Sequence, residues 1–81
     1  MDAEIHGLHI EAGRKAGIER TCGKKIKYAD EVAAGKAAAS LNRSPKKRHD
    51  VEPYPCAFCN QWHIGGIMPV EILRKFAAGE S

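Results

Sequence analysis

Large apolar side chains are scarce in this chain. Its 81 residues include only two tyrosines, two phenylalanines and one tryptophan. A domain this short buries a smaller fraction of its surface than a large one does, and it often needs a metal or disulfides to fold stably. Because such a core supplies only about a few kcal/mol net, we expect a further element to stabilise the fold.

Cysteine is also sparse, with three residues, and this odd number argues against a disulfide scaffold. Reduced thiols are typical of the cytosol. The acidic start Met1-Asp2-Ala3-Glu4 lacks the cationic start and apolar core of a signal peptide. No apolar run approaches the roughly 20 residues of a membrane-spanning helix. We therefore expect a soluble, cytoplasmic protein.

The three cysteines nevertheless form part of the most informative pattern. Cys56 and Cys59 are separated by two residues, and His63 follows four positions later. A tight knuckle at this spacing turns both sulfurs toward one centre, which the imidazole can also reach. Thiolate and imidazole donors suit Zn²⁺, and Cys22 would supply the fourth ligand. The sequence therefore predicts one structural zinc ion bound by Cys22, Cys56, Cys59 and His63.

The C-x-x-C pattern also occurs in other kinds of site. A thioredoxin-like redox pair would need roughly a hundred residues and a βαβ pattern, and the chain has neither. An iron–sulfur cluster could use the same three thiolates and one histidine, and free thiols or one disulfide also remain open. A catalytic zinc is disfavoured, because four protein ligands leave no open position for water.

The organisation expected is a small α+β zinc-stabilised domain. Residues 1–21 have a faint apolar stripe that three glycines interrupt, which predicts a flexible or partner-ordered segment. Residues 22–78 would form a single zinc-binding domain, and residues 79–81 a tail. The domain would run strand, helix, zinc-knuckle β-hairpin and short C-terminal helix.

Local patterns place the first two elements. Residues 24–28 alternate, which predicts a half-buried strand with Ile26 and Tyr28 on its inner face. Asp30 can cap a helix over 31–43 that ends before Pro45. The apolar side chains available for the buried face of this helix are Val32, Ala33, Ala37, Ala38 and Leu41.

Local patterns also place the last two elements. A second strand should start near Val51 or Tyr54, run into the knuckle and return at Trp62, whose side chain should point toward one of the helices. Pro69 suits the first position of the C-terminal helix. This helix should pack on the hairpin or present its apolar face to another protein. That face comprises Val70, Ile72, Leu73 and Phe76.

Positive charge is concentrated in the middle of the chain. Residues 14–48 carry eleven lysines and arginines against three acidic residues, a net charge of +8, whereas the whole chain carries +3. Such a block predicts either a polyanion-binding surface or simple solubilisation of a small protein. The candidate phosphate-binding residues are Lys24, Lys25, Lys27, Arg43, Lys46, Lys47 and Arg48.

The pattern also resembles small zinc-ribbon-like proteins encoded by actinobacteria and their phages. The resemblance covers about residues 22–66, and it rests on Cys22, Lys24, Tyr28, Ala33, Tyr54, Cys56, Cys59, Trp62 and His63. It implies a zinc-ligand role for the three cysteines and His63. The acidic N-terminus and the apolar C-terminal helix fall outside the shared part.

Two functions follow as expectations. The first is a non-enzymatic zinc module, such as a small regulator, that contacts the phosphates of DNA or RNA with weak sequence specificity. The alternative is a phage-type adaptor or inhibitor that docks on a host enzyme of nucleic-acid metabolism through the C-terminal apolar helix. An enzymatic role is disfavoured, because every candidate ligand would be used structurally and the only adjacent acid–base pair, His49 and Asp50, lies in a charged loop.

Overall fold

A computed structural model describes residues 1–23 and 25–79. It is a small α+β structure of four helices and a two-stranded antiparallel hairpin, so the predicted fold class is confirmed at this level. In chain order the elements are α1 (Ala3–Ala16), α2 (Ile18–Thr21), α3 (Glu31–Asn42), β1 (Val51–Pro55), β2 (Trp62–Gly66) and α4 (Val70–Ala77). Within the described ranges, no helix is long and apolar enough to cross a membrane.

The hairpin forms where the sequence predicts it. Strands β1 and β2 pair from Val51 opposite Gly66 to Pro55 opposite Trp62. The connecting turn is closed by a bond from the Cys56 amide to the Gln61 carbonyl, at 2.8 Å. Asn60 takes a left-handed conformation with φ +58°, which asparagine tolerates better than most residues. The hairpin therefore has a knuckle end, at residues 55–62, and an open end, at Val51 and Gly66.

The predicted first strand is largely wrong. Only Tyr28 pairs with the hairpin, through reciprocal backbone bonds of 2.8 Å with Trp62. Residues 25–27 have no regular structure, and the side chain of Ile26 is 69% exposed instead of facing the core. The chain leaves the sheet edge at once because Asp30, two residues after Tyr28, caps the start of α3. Lys24, also assigned to this strand, lies outside the described residues.

Helix α3 agrees closely with its prediction, although only Ala38 of its predicted apolar face is buried. The Asp30 carboxylate accepts the Ala33 amide at 2.8 Å and caps the helix. The residues that face the hairpin are Ala34 and Ala38, whereas Val32 and Leu41 are exposed. Two alanines let the helix lie close to both strands, whereas larger side chains on this face would keep the helix further away.

The end of α3 is fixed to the hairpin through one side chain. The Asn42 amide donates to the Val51 carbonyl at 3.0 Å and accepts the Val51 amide at 2.8 Å. This pair of bonds resembles the backbone hydrogen bonds of a neighbouring strand at the first residue of β1. It places the loop of residues 43–50 at the open end of the hairpin.

The N-terminal segment differs most from expectation. Residues 3–16 form a 14-residue helix, capped by Asp2, and its partner is α4 of the same chain. Gly13 allows this helix to approach α2, because a Cβ there would lie 3.0 Å from Thr21 Cγ2. The Thr21 hydroxyl donates to the Gly13 carbonyl at 3.1 Å. A glycine expected to interrupt the helix is therefore a packing contact.

Helix α4 forms as predicted but packs on a different neighbour. It lies against α1 instead of the hairpin. Leu73 is only 1% exposed, and Arg74 pairs with Glu4 of α1 at 2.9 Å. The sequence-based prediction could not include this contact, since it assigned no stable helix to residues 1–21. Of the predicted tail, Gly79 has φ +86° after the helix, and residues 80–81 lie outside the described ranges.

Two glycine substitutions test whether α1 is part of the folded domain. Gly13→Leu should lower the free energy of unfolding by about 1–3 kcal/mol, because the new side chain overpacks the contact with Thr21. Gly7→Ala is the matched control in the same helix, where the space is open. It should raise stability by up to about 1 kcal/mol. Urea denaturation measures both, and unchanged stability for both variants would contradict the packing of α1.

Candidate metal centre

Four side chains from three parts of the chain meet at the knuckle end of the hairpin. Cys22 follows α2 directly, Cys56 and Cys59 lie in the turn, and His63 is the second residue of β2. Their ligand atoms all lie within 4.8 Å of one another. The structure thus brings together the four residues predicted as ligands, in an arrangement compatible with a metal site.

His63 is oriented for metal binding by a backbone carbonyl. Its side chain is fully buried, and Nε2 lies 3.5 Å from Cys59 Sγ. Its other ring nitrogen, Nδ1, lies 2.7 Å from the Ile26 carbonyl oxygen. Because a carbonyl only accepts, Nδ1 carries the proton in this bond and the Nε2 lone pair faces the sulfurs. Metal-bound histidines are commonly held by an outer partner of this kind.

The environments of Cys22 and Cys56 shift the pKa values of their thiols in opposite directions. Burial raises the pKa of Cys22 to about 11, and the neighbouring thiols of Cys59 and Cys56 add to the effect. Burial also acts to raise the pKa of Cys56, but amide groups of Phe58 and Cys59 directed at its sulfur lower it overall. The Phe58 amide lies 3.3 Å from that sulfur. Three adjacent thiols ionise together only beside a positive charge, so the donor set fits a cation.

Tyr54 links two of the elements that carry the site. Its hydroxyl donates to the Thr21 carbonyl at 2.6 Å, next to Cys22, and its ring lies opposite His63 in the hairpin register, with ring centroids 5.8 Å apart. Burial raises the pKa of Tyr54 to about 12, and the nearby thiols add to this. The hydroxyl therefore remains protonated and stays a donor.

Helix α1 supports the same region through two histidines. His9 stacks on Tyr54 at 6.1 Å, and His6 meets the edge of Trp62 at 5.8 Å. The Trp62 contact agrees with the prediction that its side chain points toward a helix. Burial lowers the pKa of His9, partly offset by Glu52. A neutral His9 ring can then pack on Tyr54 without a buried charge.

Sequence patterns did not identify the groups that orient this site. Tyr54 was noted only as part of the family resemblance. The Ile26 carbonyl is a backbone group, so no side-chain pattern could reveal it. Tyr54 and Cys56 do share a face by strand alternation, and that spacing was the available signal. The Gly13 contact depends on tertiary packing alone.

The predicted phosphate-binding residues divide into two groups. Lys25 and Lys27 flank Ile26 at the knuckle end, and we call them the knuckle lysines. The other group, here the loop cations, lies at the open end and consists of Arg43, Lys46, Lys47 and Arg48. A five-residue strand separates the two ends by about 13 Å. All six side chains are exposed, although Lys47 pairs with Asp50. Lys24 is outside the described residues.

The predicted protein-binding face of α4 is split between core and solvent. Leu73 is buried against the rest of the domain and Phe76 is half-buried. Val70 and Ile72 are exposed, as is Ile67 just before the helix. Only part of this face is therefore available to a partner.

Comparisons of the chain with protein-family models, curated proteins and solved structures produced no match. The resemblance to small zinc-ribbon-like proteins therefore stays a prediction, and the site is interpreted from its own geometry.

Replacing Tyr54 by phenylalanine tests its role in holding the site together. Loss of the bond to the Thr21 carbonyl should lower the free energy of unfolding by about 1 kcal/mol, or the melting temperature by about 4–8 °C. Tyr28→Phe is the matched control, since the Tyr28 hydroxyl makes no hydrogen bond within residues 1–23 and 25–79. Equal effects of the two substitutions in a thermal melt would contradict the assignment.

Proposed function

We propose that the protein is a non-enzymatic zinc module that binds the phosphate backbone of nucleic acid. The observation that carries the proposal is the convergence of three thiols and one imidazole beside exposed lysines. This donor set suits tetrahedral Zn²⁺, which would act as a structural ion. An iron–sulfur cluster is the alternative occupant with the same ligands.

Two features support a structural and not a catalytic metal. Four protein donors would fill a tetrahedral shell and leave no position for a reacting water. The His49–Asp50 pair is not arranged for acid–base chemistry either. His49 Nδ1 lies 3.1 Å from the Asp50 backbone oxygen, while the Asp50 carboxylate is paired with Lys47.

The arrangement of charge supports binding to a polyanion. The hairpin holds the knuckle lysines at one end and the loop cations at the other, so a single backbone could follow its length. Contacts to phosphates release counterions, and the affinity should therefore fall steeply with salt. Such contacts carry little sequence information. These properties are those of a weakly specific nucleic-acid-binding protein, such as a small regulator.

Removing one ligand tests the structural role of the metal. Cys59→Ser or His63→Asn should abolish cooperative folding, because zinc ligation in small domains contributes on the order of 10 kcal/mol. His49→Asn provides a matched control at an exposed histidine in the loop of residues 43–50. Thermal melts followed by circular dichroism would measure the effect. A cooperative melt of Cys59→Ser near the unaltered temperature would remove the structural metal from the proposal.

Removing the loop cations tests the proposed binding to phosphates. Substituting Lys46, Lys47 and Arg48 by alanine should weaken DNA or RNA binding and reduce the slope of log K against log salt by roughly 0.7–0.9 for each phosphate that is no longer neutralised. A control variant removes the same charge from exposed lysines on three helices, namely Lys15, Lys36 and Lys75. Its slope should change little. Similar reductions in both variants would show that net charge alone, and not this loop, governs binding.

A second candidate function rests on the exposed part of the C-terminal region. Ile67, Val70 and Ile72 present apolar surface beside α4, which favours a protein partner such as a host enzyme of nucleic-acid metabolism. The protein would then be a phage-type adaptor or inhibitor. The absence of salt-dependent binding to both DNA and RNA would favour this candidate over the first.

A further inference from the structure

Three apolar side chains are exposed around the candidate metal centre. They are Ile18, Ile26 and Phe58, which we call the knuckle platform, and their exposed fractions are 55%, 69% and 41%. Each belongs to a residue whose backbone contacts a candidate ligand. The Ile18 carbonyl accepts the Cys22 amide at 2.8 Å, the Ile26 carbonyl binds His63, and the Phe58 amide donates to the Cys56 sulfur.

The side chains of the platform are not needed for the geometry of the site. Ile18 and Ile26 contribute only a carbonyl to it, and Phe58 contributes only an amide. A chain with so few large apolar residues gains nothing in stability by leaving three of them in solvent. Single exposed apolar residues are common, but a group around one centre indicates an interaction surface.

Charge identifies the occupant of this surface. The knuckle lysines, Lys25 and Lys27, lie on either side of Ile26, and both are exposed. An exposed aromatic ring beside cations is typical of proteins that bind single-stranded nucleic acid, where a base stacks on the ring and the phosphates meet lysine or arginine. A protein partner would gain little from the two lysines unless it were acidic.

Hydrogen bonds also hold the backbone that carries Phe58 and Ile26. The turn that carries Phe58 is closed by the bond from Cys56 to Gln61 and by the left-handed Asn60. The Ile26 backbone is fixed by its bond to buried His63. A preformed surface loses less conformational entropy on binding, which favours stacking on Phe58.

We infer that the knuckle platform binds unpaired bases of single-stranded DNA or RNA, with Phe58 stacking on a base and the knuckle lysines contacting the adjacent phosphates. This inference rests on the proposed nucleic-acid-binding function and adds the class of ligand to it. A duplex keeps its bases stacked inside the helix, so it offers Phe58 no free base face. The protein should therefore bind a single strand more tightly than the corresponding duplex.

The experiment is fluorescence anisotropy with three labelled probes of equal length. They are a mixed-sequence single-stranded DNA, the same sequence as a duplex, and an abasic strand that keeps the phosphates. Phe58→Ala should weaken binding to the single strand by about tenfold, in the range for loss of one stacked base. It should leave binding to the duplex and the abasic strand unchanged. Phe58→Tyr should bind the single strand nearly as well as the unaltered protein.

Controls separate stacking from a loss of folding. Ile67→Ala removes an exposed apolar side chain just before α4 and should leave all three affinities unchanged. A circular dichroism melt of Phe58→Ala should match that of the unaltered protein. If Phe58→Ala does not fold, base stacking is tested by two other measurements. They are the preference of the unaltered protein for the single strand over the duplex and abasic probes, and the affinity of Phe58→Tyr for the single strand. Equal affinity for the single-stranded and abasic probes would then overturn the inference.

The outcomes also separate this inference from the broader proposal. Unchanged single-strand binding by folded Phe58→Ala, together with salt-dependent binding to all probes, would overturn base stacking and leave phosphate binding standing. Failure of the unaltered protein to bind any of these probes or their RNA counterparts would overturn both. In that case the platform would be a docking surface for a protein.

Discussion

Cys22, Cys56, Cys59 and His63 meet at the point where two parts of the domain come together. Cys22 lies at the end of the α1–α2 unit, whereas the other three residues belong to the hairpin and its turn. The excursion of residues 23–55 begins and ends at this point. Closing a loop of this length is inexpensive, since its entropy rises only with the logarithm of length. A metal at this point would join α1, α2 and the hairpin through a few short bonds.

The composition of the core explains why this junction matters. The largest fully buried side chains within the described residues are Leu73 and His63. His63 is a candidate metal ligand and Leu73 is apolar, so the interior is polar around His63 and apolar around Leu73. Leu73 anchors the layer of α1 and α4, and His63 anchors the hairpin to the chain segment at Ile26. Without a cation beside it, the second anchor would hold three neighbouring thiols, two of them buried, whose ionised forms repel one another.

The same junction shapes the outer surface. The backbone groups of Ile18, Ile26 and Phe58 contact candidate ligands, and their side chains are exposed to solvent. The knuckle lysines are displayed on the same segment as Ile26. The proposed structural metal and the proposed nucleic-acid surface are therefore linked, since the backbone that would hold the ion also presents the side chains.

Local signals made part of this structure predictable. Asp30 and Pro45 bracket α3, and the spacing of Cys56, Cys59 and His63 identifies three of the four clustered residues without any knowledge of the fold. Other features depend on tertiary contacts that a local pattern does not contain. Gly13 is read as a helix breaker until Thr21 is placed beside it, and Ile26 alternates like a strand residue although only its carbonyl faces inward. The partner of α4 could not be foreseen without α1.

Native mass spectrometry of the purified protein, before and after treatment with a chelator, tests whether the cluster of three cysteines and His63 binds a structural metal. Circular dichroism on the same two samples reports the fold. We expect one zinc ion per chain, lost together with the folded spectrum. A chain that carries no metal, with a spectrum unchanged by the chelator, would contradict this expectation.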